Sequence, residues 1–223
     1  MLLTSPLLAV AAAALQAPEA VDLTPAAKVT KNLVVHAGEG ITVRVPASAR
    51  YVGSERFALY GVADAEIHVF AETDENKRLQ KLYWIQFESY LPSNTHSYNY
   101  ADGNKRMMLW GTPTWVRSGP VPTNGPTRAG SDREHVLGIL NRAGIAIPPE
   151  AMNVRMVQLL DDPAGTGKGA RRELMVIYSE DLARSGKTLA QLAVDGKPGP
   201  DWAPIEQGLI DRASKAVTIE RRK

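Results

Sequence analysis

The residues of this chain best suited to chemistry gather between Glu66 and Tyr100. The stretch from Glu66 to Leu91 reads EIHVFAETDENKRLQKLYWIQFESYL, and a polar segment, PSNTHSYNYADGNK, follows it. Within this region His68, Gln86, Glu88 and His96 can donate, accept or carry protons. Phe70, Trp84, Tyr98 and Tyr100 add aromatic area. Aromatic surface with a few polar groups set among it is the composition of small-molecule pockets. The expected ligand-binding set is therefore His68, Phe70, Trp84, Gln86, Glu88, Tyr98 and Tyr100. Glu88 and His96 are the candidate acid–base pair, a role that geometry must carry because their spacing does not. Against this stands a plainer reading, in which the same side chains form the outer face of a sheet with Trp84 under a helix or loop.

The element that must position these residues is a long β-hairpin. Two alternating runs flank a polar turn, and alternate side chains on a strand point to opposite faces. Pairing of Asp74 with Arg78 across the loop Glu75-Asn76-Lys77 is expected. It places Ile67, Val69 and Ala71 beside Tyr83, Ile85 and Phe87 on an apolar face. Glu66, His68, Phe70, Leu82, Trp84, Gln86 and Glu88 are left on a mixed face. A slip of one residue would mix the two sets.

Several chemistries are excluded or unsupported. There is no cysteine among the 223 residues, which removes disulfides, thiol nucleophiles, iron–sulfur clusters and zinc–cysteine sites. Four histidines fall singly on different segments, so no metal site is assigned, and no cofactor motif is present. The G-x-S-x-G, H-E-x-x-H, Walker A and dinucleotide fingerprints are missing. Gly165-Thr166-Gly167-Lys168-Gly169 resembles a phosphate loop only superficially, since Gly follows the lysine and a strand follows the loop. Asp161-Asp162 lacks the ordered series of oxygen ligands a cation site needs. A net charge of +2 gives nucleic-acid binding no bulk support.

At the N-terminus, Leu7 to Leu15 is an apolar run followed by small residues. Its length fits a signal-peptide h-region and is too short for a spanning helix, so no stable membrane span is expected. An alanine-rich helix over residues 1–20 is the alternative. Val21 to Lys31 reads as a linker and Asn32 to Pro46 as a hairpin turning at Gly38-Glu39-Gly40. Arg56 to Tyr60 begins a strand, and Arg106 to Arg117 is a strand broken near Pro113. Trp110 and Trp115 are read as core or rim. Ser118 to Gly130 is Pro/Gly-rich and ends the β-rich half. Ser131 to Gly144 is a helix opened by a capping box, with His135 facing solvent. Asn153 to Leu160 and Arg172 to Ser179 are strands, Glu180 to Ala193 short helices broken at Gly186, and Pro204 to Val217 a final amphipathic helix.

These elements specify one α+β domain over residues 32–218. Its sheet is mainly antiparallel with about six to eight strands, and the helices of the C-terminal half pack on one face. Three functions fit. The first is an exported (periplasmic or secreted) protein that binds a small, partly apolar molecule. The second is a hydrolase or isomerase using Glu88 and His96. The third is a non-catalytic accessory protein that presents its sheet edge or tyrosine loop to a protein partner.

Overall fold

The computed structural model describes residues 22–222. The signal peptide or N-terminal helix read at residues 1–20 lies outside them. The chain runs through β1 (Lys28–Thr30), β2 (Leu33–His36), β3 (Ile41–Arg44), β4 (Arg50–Leu59), β5 (Ala63–Thr73) and β6 (Leu79–Tyr90). It continues with β7 (Tyr98–Asn99), β8 (Lys105–Leu109), β9 (Thr112–Pro122), α1 (Asp132–Arg142), β10 (Glu150–Leu159), β11 (Lys168–Ala170) and β12 (Arg172–Asp181). It closes with α2 (Leu189–Leu192), β13 (Ala193–Val194), β14 (Lys197–Pro198), α3 (Ala203–Ala216) and β15 (Thr218–Arg221).

The principal sheet is antiparallel and seven-stranded, in the order β4-β5-β6-β12-β10-β9-β8. A second antiparallel sheet, β1-β2-β3-β15, lies over its first face. There Val34, Ile41 and Val43 share a core with Phe70, Tyr83, Ile85 and Phe87, and with Leu209, Ile210 and Ala213 of α3. The second face carries a separate core. Ala65, Ile67, Val69, Leu82 and Trp84 pack there against Val136, Ile139 and Leu140 of α1. Burying each of those three α1 side chains contributes about 1.5–3 kcal/mol, enough to hold a helix of this length.

The two long helices thus divide between the faces, and the expectation that both pack on one face is corrected. Each has a single apolar stripe, and a sheet apolar on both sides needs cover on both. The capping reading holds at α1. Ser131 Oγ accepts from the Glu134 amide at 3.2 Å, while the Glu134 carboxylate reaches past the cap to the Gly130 amide at 2.7 Å. His135 is not a solvated residue. It stacks on Phe57 with centroids 3.6 Å apart, and its Nδ1 lies 2.6 Å from Glu55.

The β5–β6 hairpin supplies the main correction. The turn is as expected, with the Asp74 amide donating to Arg78 carbonyl oxygen at 3.0 Å and Thr73 opposite Leu79. The register then shifts beside Glu72, which pairs with Lys81, so that one residue of β6 is extra. Beyond that bulge Ile67 faces Gln86 and Val69 faces Trp84, while His68 faces Ile85 and Phe70 faces Tyr83. One extra residue exchanges the partner faces, the known consequence of a bulge. The proposed mixed face is divided: His68 and Phe70 belong to the first face, Trp84, Gln86 and Glu88 to the second.

Two features of the 161–171 connection explain its composition. Asp162 accepts from the amides of Thr166 and Gly167 at 3.1 and 2.7 Å, and Asp161 from those of Arg171 and Arg172, so both acids cap the loop. Gly167 has φ +77° and lies where a Cβ would sit 2.4 Å from the Trp115 ring. Only glycine fits both conditions.

Candidate functional site

The second face carries a groove. Its inner compartment, about 110 Å³, lies between the sheet and α1 and is lined by Leu82, Trp84, Ile177, Leu137, Leu140 and Ile147 among others. Its outer compartment, about 320 Å³, opens along β9 and is lined by Arg117, Gly119, Arg155, Gly196 and Pro198. Val121, Asn153 and Ile177 line both, so the two adjoin. β8 pairs with β9 only as far as Val116, which leaves Arg117 to Pro122 as an edge on which the outer compartment can form. Asn153 Oδ1, between the two compartments, is buried and has no hydrogen-bond partner.

Beside the groove on the same face runs a chain of hydrogen bonds. Trp84 Nε1 donates to Gln86 Oε1 at 2.9 Å, and Gln86 Nε2 donates to Glu88 Oε2 at 2.7 Å. Tyr98 donates from its hydroxyl to the other Glu88 oxygen at 2.7 Å. Glu173 stands directly opposite Glu88 across β6 and β12, and accepts from the Tyr100 hydroxyl at 3.1 Å. Its second oxygen is buried and unpartnered. The rings of Tyr90, Tyr98 and Tyr100 stack in series, 4.6 and 6.1 Å apart. Arg155 closes the row, 5.3 Å from the Tyr100 centroid, with Nη2 donating to Asn104 Oδ1 at 3.3 Å.

Burial governs the ionisation of this row. The Glu173 carboxyl is raised to about 8 by burial and then by the Glu88 charge, with the Tyr100 hydrogen bond and Arg155 opposing. Glu88 is raised by burial against the bonds from Tyr98 and Gln86, and Asp132 at the start of α1 is raised by burial as well. The Tyr98 phenol is pushed far above its ordinary range by burial and then by the charge on Glu88; for Tyr100 burial is followed by the charge on Glu173. Two carboxyls facing each other in a dry site do not both ionise readily, so at neutral pH Glu173 is the O–H-bearing member. The row fixes Gln86, which fixes the indole edge of Trp84. It positions the floor of the groove.

On the first face, His68 Nε2 lies 2.8 Å from Glu66 Oε1, both side chains buried, with His68 Nδ1 unpartnered. The amides of Ala26 and Ala27 donate to the same Glu66 carboxylate at 2.5 and 2.8 Å. Burial works against ionised Glu66, but these bonds outweigh it and hold the carboxyl below its usual range. Phe70 is wholly buried beside Tyr51. Neither His68 nor Phe70 reaches the groove. His96 is exposed; only its backbone is engaged, by Asn94 and Arg171, while Glu88 is committed to Gln86 and Tyr98. The expected acid–base pair is therefore not joined by a hydrogen bond among the described residues.

Of the expected ligand-binding residues, Trp84 lines the groove, and Gln86, Glu88, Tyr98 and Tyr100 form the row behind it. Asn153, Arg155, Glu173, Ile177, Arg117 and Leu137 were not anticipated. A signal existed for three of them: Asn153 and Arg155 interrupt one face of an alternating strand, and Glu173 does so on the neighbouring strand β12. Among the described residues no cluster of His, Asp or Glu is arranged to hold a metal, and no helix is long and apolar enough to cross a membrane. Comparison with protein-family models, curated proteins and solved structures finds no match to this chain.

Proposed function

We propose that this chain binds a small, partly apolar molecule in the groove between the second sheet face and α1. The observation that carries the reading is the groove, whose two compartments share Asn153 with its unpartnered Oδ1. A buried acceptor without a partner costs about 1–3 kcal/mol, which a donor on a ligand would relieve. A dry cavity on the order of 150 Å³ holds one benzene ring, so the inner compartment is near that size and the outer one gives room for more. Trp84 supplies the aromatic floor, Leu137 and Leu140 the roof. Glu88, Tyr98 and Tyr100 hold the floor in place and do not touch the ligand. The apolar run from Leu7 to Leu15 supports an exported, periplasmic or secreted, setting for this activity.

Calorimetric titration with 2-naphthalenemethanol, a neutral bicyclic probe, tests the reading. It should bind with one-to-one stoichiometry. Leu137→Trp should fill the inner compartment and abolish binding with the far-UV circular dichroism unchanged, whereas Leu137→Ala should still bind. Absence of binding to the unmodified protein, or binding indifferent to Leu137→Trp, would sink the proposal.

A further inference from the structure

Arg117 and Arg155 are direct partners across β9 and β10 and line the outer compartment together. Like charges placed directly opposite on a sheet destabilise it. Such a pair is normally relieved by an acid nearby, and here the relief is one-sided. Arg155 leans over Tyr100 and bonds Asn104, and its charge opposes the burial that raises the Asp132 and Glu173 carboxyls. Arg117 is exposed, and among the described residues its side chain has no hydrogen-bond or ion-pair partner. The outer compartment contains no acid. Of the two acids at the inner one, Asp181 is paired with Arg78, and Glu180, whose side chain turns to the first face, is paired with Arg212. The groove is therefore apolar at its closed end and carries uncompensated positive charge at its open end.

We infer that the ligand is a small amphipathic anion, seated with its apolar body under α1 over Trp84 and its carboxylate or phosphate head between Arg117 and Arg155. This rests on the groove reading above. A guanidinium matches the planar oxygens of either head group. Asn153 Oδ1, midway along, would accept from a hydroxyl or amide placed between head and body. On this account the opposed arginines lower the stability of the empty protein and are relieved when the head group arrives.

The test compares three probes that share one ring system: 2-naphthalenemethanol, 2-naphthoate and 2-naphthyl phosphate. At low salt at least one anion should bind about tenfold or more tightly than the alcohol, and the advantage should shrink as salt is raised. Whichever anion is tighter names the head group. Arg117→Gln should remove most of that advantage. The same substitution should raise the melting temperature of the ligand-free protein; a side chain with a purely structural role would lower it. Equal binding of alcohol and anions, or an anion preference untouched by Arg117→Gln, would overturn the inference while leaving the groove reading standing. Failure of the alcohol to bind would overturn both.

Discussion

Burial and the neighbouring Glu88 charge raise the Glu173 carboxyl from an ordinary 4.5 to about 8. The unfolded chain has no such environment, so between those two values it releases a proton that the folded protein keeps. Stability attached to this group is present in full below pH 4.5 and is lost as pH rises to about 8. Glu173→Gln mimics the protonated form: it keeps an oxygen for the Tyr100 hydroxyl and cannot ionise. The variant should match the parent near pH 4.5 and exceed it by an amount growing to a few kcal/mol by pH 8, on the order set by about 1.4 kcal/mol per tenfold change in proton affinity. Urea unfolding at pH 5 and pH 8 reads the difference directly. A constant difference at both values would mean that Glu173 ionises freely in the folded protein.

At the scale of elements, alternation and turn chemistry made most of the fold legible. The capped helix at Ser131, the hairpin at Gly38–Gly40, the β10 and β12 strands and α3 all lie where apolar period and end signals put them. β1 and β15 were not read, because each is a short run with few apolar residues whose strand character comes from pairing in the second sheet. The bulge in β6 was not legible either. A single extra residue leaves no mark on composition, and alternation alone favours the register that keeps one face apolar. That is why the anticipated set of side chains is divided between the two faces. The bulge account predicts opposite results for two deletions in one strand. Gln80 lies at the bulge, so removing it should restore a regular ladder while keeping Trp84 and Gln86 on the second face. Removing Gln86 should instead turn the rest of β6 inside out. Thermal unfolding by circular dichroism should show a cooperative transition near the parent's for the first and none for the second.

At the scale of the whole molecule, the two faces of the sheet treat carboxylates in opposite ways. On the second face Glu88, Asp132 and Glu173 are raised, with burial the leading cause in each. On the first face Glu66, Glu72 and Glu180 are lowered, because hydrogen bonds to the ionised form outweigh burial. Glu180 shows how: Arg212 of α3 grips it with Nε and Nη2 at 2.8 and 3.0 Å, and the Tyr178 hydroxyl donates at 2.5 Å. A lowered acid contributes stability above its unfolded value of 4.5 and loses it as pH falls through the lower folded value. The molecule should therefore be most stable on the mildly acidic side of neutrality, with its alkaline limb governed by the groove face and its acid limb by the face that holds α3. Glu180→Gln isolates the acid limb. It removes the charge that Arg212 grips, and because Arg212 is half exposed the cost at neutral pH should be about 1–2 kcal/mol. That cost should shrink as the pH is taken below 4.5, where the unfolded parent's Glu180 takes up its proton before the folded one does. The Glu173→Gln difference has the reverse trend, growing as the pH climbs. Denaturant titrations of both variants from pH 3 to pH 9 would display the two limbs separately; a Glu180→Gln cost independent of pH would show that α3 is held by its apolar stripe alone, with the Arg212–Glu180 pair contributing nothing measurable.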